Sequence, residues 1–181
     1  MRGDEAMTER PDGESGFVRG IDALTTIVGR TASWLTLAMV LLTTRVVVLR
    51  YVFDLGFIWL QEGLTWMHAA VFMLGAAYTL QLDQHVRVDV FYREMSARRR
   101  ALVNLIGVLI FLLPVTVFIF MESLGYVGTA WADQEVSRDA GGLPYPALPL
   151  MKSLLLAMPV LLALQGLAIA LRSIATLRGS R

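Results

Sequence analysis

The sequence contains no cysteine, only two histidines and little charge, since Asp, Glu, Lys and Arg make up 17% of it. The absence of cysteine excludes disulfides, thiolate metal sites and cysteine nucleophiles. The sequence also lacks a Walker-type phosphate loop, a serine elbow, a metal-ligand cluster and paired catalytic carboxylates. A formal net charge of +1 gives no argument for a nucleic-acid partner. We therefore predict a protein that is not an enzyme and carries no cofactor.

Apolar residues make up 56% of the chain and gather in four runs. The runs cover about residues 31–53, 59–82, 101–122 and 152–171. Each has the roughly 20 residues needed to cross a hydrocarbon layer of ~30 Å, and backbone groups in lipid require a helix. A soluble bundle would need a charged face along each helix, which the third and fourth runs lack. The sequence predicts an all-α membrane protein with four transmembrane helices in a domain covering residues 31–172.

The positions of the basic residues predict the orientation. Twelve of the 16 Lys and Arg residues lie before the first run, in the 83–100 connection, or from Arg172 onward. This positive-inside bias places both termini in the cytoplasm of a bacterium and the domain in its inner membrane. Residues 1–30 become a polar cytoplasmic segment, with no cleavable signal pattern, and residues 173–181 a cytoplasmic tail. The Gly- and Pro-rich stretch 126–150 is expected to face outward and to be irregular.

Charged residues near membrane depth are the first candidates for function. Arg45 and Arg50 in the first run share the outer level with Glu62 and Glu122, which begin the second run and end the third. Two interpretations remain open, an Arg–Glu ion pair or separate side chains that each reach interfacial water. No carboxylate is expected near the centre of a span, which argues against ion transport by this chain alone.

The second run carries an aromatic face. By the helical spacing of 100° per residue, Trp59, Glu62 and Trp66 fall within about 60° of one another. This pattern indicates either an interfacial aromatic belt or a docking face for a partner. His68 and His85 are too far apart along the membrane normal to hold one haem between them. We expect His68 to be a packed, hydrogen-bonded side chain.

Small residues three or four positions apart allow helices in lipid to approach closely. Gly75 with Thr79, and Gly166 with Ala170, form two such pairs. They are candidate faces for helix packing.

Several short motifs occur in a specific order along this four-span pattern. Arg-Tyr-Val-Phe ends the first span at residues 50–53, and Trp-Leu-Gln-Glu begins the second at residues 59–62. His85, Arg87 and Asp89 follow in the stretch His-Val-Arg-Val-Asp. Residues 135–137, 141–144 and 152–154, the last beginning with Lys152, and the stretch 162–167 complete the set. From about residue 40 to 172 the chain resembles the small permease subunit of tripartite ATP-independent periplasmic (TRAP) transporters, the DctQ-like family.

The resemblance implies a three-part uptake system. A periplasmic solute-binding protein would deliver the solute, usually an organic acid, and a large permease subunit would carry it on an ion gradient, commonly of sodium. The small subunit would support this pair within membrane lipids. The resemblance and the residue pattern together give these candidate interface or structural residues: Arg45, Arg50, Trp59, Glu62, Trp66, His85, Arg87, Asp89, Glu122 and Lys152. Glu62 and the outer loop are expected to meet the binding protein. The 85–89 stretch and the small-residue faces at Gly75 and Gly166 are expected to meet the large subunit.

Two other classes of protein remain as alternatives. One is the membrane anchor of a redox complex, which a Soret band in the purified protein would reveal. The other is a small self-sufficient exporter that works as a homodimer. Transport by this chain alone in liposomes would identify the exporter.

Overall fold

The computed structural model describes residues 15–83 and 95–179. Within these ranges the chain forms four helices and no strand. They are α1 (Gly16–Val52), α2 (Ile58–Gln81), α3 (Ala97–Ala132) and α4 (Ala147–Gly179). Each is long and apolar enough to cross a membrane. The predicted all-α architecture with four membrane-spanning helices is confirmed.

Helix α1 begins well before the first apolar run. The hydroxyl of Ser15 caps it by accepting a hydrogen bond from the Val18 amide at 3.4 Å. Val18 and Ile21 then recur at helical spacing, are buried, and pack with Ala168 of α4. The second half of the segment predicted to be polar is therefore an amphipathic helix. The average hydropathy of residues 1–30 does not reveal this buried side, because seven of their ten charged residues lie before the helix begins.

The stretch 126–150 is more helical than expected. Helix α3 continues to Ala132, and Val127 and Ala130 within this extension are buried. Helix α4 already begins at Ala147, so the irregular connection is only residues 133–146. Pro149 lies in the first turn of α4, where a residue without an amide proton breaks no helical hydrogen bond. The prediction that 126–150 is irregular therefore holds for residues 133–146 and was wrong at both ends, where α3 and α4 extend into the stretch.

Helix α4 is the centre of the bundle. It packs against α1, α2 and α3, whereas α1 and α3 do not pack against each other along their described lengths. One third of the most apolar stretch of α4 is buried (33%), compared with 6% in α1. The other three helices therefore pack around α4 and present broad apolar surfaces.

Helix α1 has two unlike halves. All of its buried residues lie between Val18 and Ala32. Beyond Ala32 the helix leaves most of its large apolar side chains exposed, Trp34 and Leu41 among them. Near its end, Val46 and Leu49 lie beside Leu60 of α2. Lipid or a partner is the natural covering of such a surface.

Two glycines permit close helix contacts. A Cβ on Gly29 of α1 would fall 2.8 Å from Cδ1 of Tyr78 in α2, and one on Gly166 of α4 would fall 2.7 Å from Cδ2 of Leu112 in α3. Any larger residue would push these helices apart. The candidate packing face at Gly166 is thus used within the chain. The one at Gly75 is not, because a Cβ there would meet nothing within 4 Å.

A widened turn interrupts α3. Residues Gly107–Leu112 form a π-helical segment, in which the Leu113 amide donates to the Val108 carbonyl. Pro114 follows directly, and a proline ring clashes with the carbonyl four residues before it, here that of Ile110. The π-helical segment inserts its extra residue next to Pro114, a common arrangement where a helix contains a proline.

Candidate functional site

The connection 133–146 covers one end of the bundle, and hydrogen bonds and an ion pair hold it in place. Glu62 of α2 makes the central contacts. Its carboxylate accepts a hydrogen bond from the Ser137 hydroxyl and a second from the Leu143 amide at 2.6 Å. Gly142 lies so close that a Cβ there would come within 2.7 Å of Oε2 of Glu62. The predicted rim carboxylate is therefore occupied in shaping this connection.

Lys152 of α4 makes the second set of contacts. It forms an ion pair with Glu135 and lies over the ring of Tyr126 at 4.0 Å from its centroid. Glu135 is brought into position by the end of α3, where Gln134 has a φ of 48°. The Glu135 amide donates to the Ala130 carbonyl at 3.0 Å and the Gln134 amide to Trp131 at 3.3 Å. These two bonds and the left-handed residue form a Schellman motif.

Two tryptophan indoles also donate hydrogen bonds to α4 at this end of the bundle. Nε1 of Trp66 donates to the carbonyl of Ala147 at 3.2 Å, and Nε1 of Trp131 donates to Oγ of Ser153 at 3.0 Å. The ring of Trp131 also meets that of Tyr145 edge to face at 6.2 Å. We call the connection 133–146 with Glu62, Trp66, Trp131 and Lys152 the cap. Three helices contribute to it, so the cap cannot shift without breaking contacts to each.

At the opposite end, where α1 begins and α4 ends, a polar network lies inside the bundle. Gln165 of α4 is fully buried, with 0% of its surface exposed. Its carbonyl accepts from the Thr25 hydroxyl at 3.3 Å, and its amide donates to the Asp22 carboxylate at 3.3 Å. Asp22 also forms an ion pair with Arg172. The network joins α1 to α4 through polar side chains that are fully or partly buried.

Helix α2 joins the same network through Gln81. Its side-chain amide donates to the Asp22 carbonyl at 3.2 Å and to the Thr26 hydroxyl at 3.1 Å. Sequence reasoning missed these residues because it searched for charged or metal-binding types at membrane depth. Gln165 was the available signal, since it is the one strongly polar side chain between Ser153 and Leu171 in the fourth apolar run. We call Asp22, Thr25, Gln81, Gln165 and Arg172 the polar network.

The remaining predicted residues lie apart from both sites. Arg45, Arg50 and Glu122 are exposed, and the described part of the chain records no ion pair for any of them. The Arg–Glu pair is therefore not formed within this chain. Trp59 is 45% exposed, with its ring 6.4 Å from that of Phe57, so it does not share the environment of Trp66.

The expectation for His68 was wrong. Its side chain is exposed on α2 and has no hydrogen bond in the described ranges. The single-helix projection could not tell which side of α2 faces α4, and His68 lies on the other side. His85, Arg87 and Asp89 lie outside the described residues.

Comparison with known proteins assigns this helical bundle to a family of transport proteins. The family of DctQ components of tripartite ATP-independent periplasmic transporters matches residues 39–176. The chain belongs to this family, and with its four helices it is a multi-pass inner-membrane protein.

One curated relative is the C4-dicarboxylate TRAP transporter small permease protein DctQ of Vibrio cholerae serotype O1, with 37% identity over 71 residues. The aligned region covers 39% of this chain and 31% of that protein. No solved structure matches the chain significantly.

Proposed function

We propose that this chain is the small subunit of a TRAP transporter that supports ion-gradient-driven uptake of a small organic acid. Its partners are a large permease subunit and a periplasmic solute-binding protein. Family membership supports the class of transporter. The name of the Vibrio cholerae relative, which specifies C4-dicarboxylates, supports an organic acid as solute.

The observation that best supports a membrane partner is an exposed carboxylate on α3. Glu122 lies ten residues before the end of the helix, which corresponds to about 15 Å along the axis. Val115 and Phe118 precede it at spacings of seven and four residues, so the three residues share one side of α3, and all are exposed. We call them the Glu122 face. An otherwise apolar helix surface thus carries one charge.

A charge on a lipid-facing helix surface is unfavourable, by about 2.5–3.5 kcal/mol at the bilayer centre and by less toward the outer end of the span, where Glu122 lies. A second membrane protein that supplies a hydrogen-bond donor or a positive charge removes this cost and covers Val115 and Phe118 as well. The Glu122 face is therefore our proposed contact with the large permease subunit.

The position of the cap supports contact with the binding protein. With both termini in the cytoplasm, as the distribution of basic residues predicts, the cap lies at the periplasmic end. A connection fastened by Glu62 and Lys152 offers a surface of constant shape. Such a surface is suited to receiving a soluble partner repeatedly, because little conformational entropy is lost on docking.

The proposed contact on α3 is tested by co-purification of the large subunit encoded with this chain. The Glu122→Gln variant keeps the side-chain volume but removes the charge, and we expect recovery of the large subunit to fall by about tenfold. Asp133→Asn removes an exposed carboxylate just beyond the same helix and serves as the matched control. Equal recovery with both variants would exclude the Glu122 face as the contact.

Uptake tests the function itself. Proteoliposomes that contain both membrane subunits and receive the binding protein should accumulate a C4-dicarboxylate when an ion gradient is imposed. Omission of this chain should abolish accumulation, and the chain alone should show none. Transport by the chain alone would support the homodimeric exporter instead.

Orientation has a direct test because the chain lacks cysteine. Asp139→Cys in the cap should react with an impermeant maleimide added outside spheroplasts, whereas Ser180→Cys should react only after lysis. The reverse pattern would invert the proposed topology.

A further inference from the structure

An open groove of about 790 Å³ lies between the start of α3 and the end of α4. Its polar lining consists of Arg98 and Arg99 from α3 and Arg178 from α4. Its apolar lining consists of Leu102, Ile174 and Leu177. Because α3 and α4 are antiparallel, the first turn of one and the last turn of the other meet at this end. The groove lies at the opposite end of the bundle from the cap.

The three arginines of the groove are exposed and carry no ion pair or side-chain hydrogen bond within the described chain. They differ in this from Arg172, which binds Asp22 of the polar network. Three guanidinium groups around one groove repel each other and attract an anion. Guanidinium groups also bind phosphate oxygens in a bidentate geometry. The polar half of the groove is thus suited to a phosphate group.

Two of the three apolar lining residues lie one helical turn deeper than the arginines. Leu102 follows Arg98 by four residues, and Ile174 precedes Arg178 by four, a distance of about 6 Å along each axis. On both helices the order from the end inward is therefore arginine first and aliphatic side chain second. A membrane lipid has the same order, with its phosphate at the surface and its acyl chains below.

The apolar lining continues beyond the groove on both helices. Ile106 lies a further turn along α3, and Leu171 and Leu167 follow Ile174 at spacings of three and four residues along α4. All three are exposed. Residues at these spacings share one side of a helix. They form a strip that runs from the arginines toward the interior of the membrane.

We propose that this groove binds an anionic phospholipid, with its phosphate at Arg98, Arg99 and Arg178 and its acyl chains along the aliphatic strip. A soluble phosphate would use the arginines but leave the strip without a role. An acidic segment of another protein would equally leave the acyl-chain path unexplained. The inference does not depend on the proposed transport function.

The test compares lipid binding by the full chain in detergent. Native mass spectrometry with added phosphatidylglycerol or phosphatidylcholine should show a preference for phosphatidylglycerol on the order of tenfold in the wild type. The R98Q/R99Q/R178Q variant should lose this preference. The matched control, R19Q/R30Q/R138Q, removes three exposed arginines outside the groove and should keep it.

Three outcomes would overturn the proposal. They are equal binding of both lipids by the wild type, an unchanged preference in the groove variant, and loss of the preference in the control variant. If the groove variant does not fold, competition of the two spin-labelled lipids for the wild-type protein decides between the first outcome and the expected one. Displacement of phosphatidylglycerol by millimolar inorganic phosphate would identify a soluble-phosphate site and would also overturn it.

Discussion

The cap and the polar network both join helices through hydrogen bonds, but they use different chemistry in different surroundings. The cap relies on half-buried charged groups, Glu62 and Lys152, that hold a connection over the bundle end. The polar network depends on a neutral amide, Gln165, that is completely buried between helices. Loss of a cap contact should therefore free a loop, whereas loss of a network contact should weaken the bundle as a whole.

The largest effect is expected at Gly29, next to the network. Gly29→Ala would force α1 away from Tyr78 of α2, and overpacking of this kind is destabilising by about 1–3 kcal/mol. Thermal unfolding in detergent measures the loss. Gly75→Ala is the control, because a Cβ there has open space. Similar melting temperatures for the two variants would show that α1 and α2 are not closely packed at Gly29.

The network itself is tested by Gln165→Leu. This change leaves the Thr25 hydroxyl and one oxygen of Asp22 without their buried partner, at a cost of about 1–2 kcal/mol. Thermal unfolding again provides the measurement. Gln61→Leu, at an exposed position of α2, is the control. A Gln165 variant as stable as this control would mean that the network contributes no net stability.

The cap should respond locally. Glu62→Gln replaces one of the two accepting carboxylate oxygens with an NH2 group that can only donate, so we expect amide exchange at Leu143 to accelerate on the order of tenfold. Exchange in α4 around Gln165 should stay unchanged. Glu122→Gln, which touches no part of the cap, is the control. Faster exchange throughout α4 in the Glu62 variant would contradict the separation of the two ends.

The smallest effect is expected where α3 ends. Gln134 adopts a left-handed conformation that strains a residue with a side chain, so Gln134→Gly should stabilise the cap by about 0.5–1 kcal/mol. Gln134→Ala, which retains a Cβ, should show no gain in thermal unfolding. A loss of stability with glycine would indicate that the Gln134 side chain makes a contact of its own.

The candidate site was predicted only in part, and the reason is rotation about the helix axis. Glu62 and Glu122 were placed at one level because the order of spans determines depth. Depth does not say which side of a helix meets a neighbour. Glu62 points at the cap connection, whereas Glu122 lies exposed on α3. The polar network was not predicted because amide and hydroxyl side chains are common in membrane spans. Their role becomes clear only when their hydrogen-bond partners are known.

The sequence by itself determined the four membrane-spanning helices and the family, because hydropathy is a property of each segment and the motifs keep their order along the chain. Tertiary structure decided that α4 is central, that Glu62 binds the connection 133–146, and that the polar network joins three helices. It also brought Arg98 and Arg178 to one groove from positions 80 residues apart. These features depend on how helices rotate and pack against one another, and packing is a relation between segments that no single segment contains.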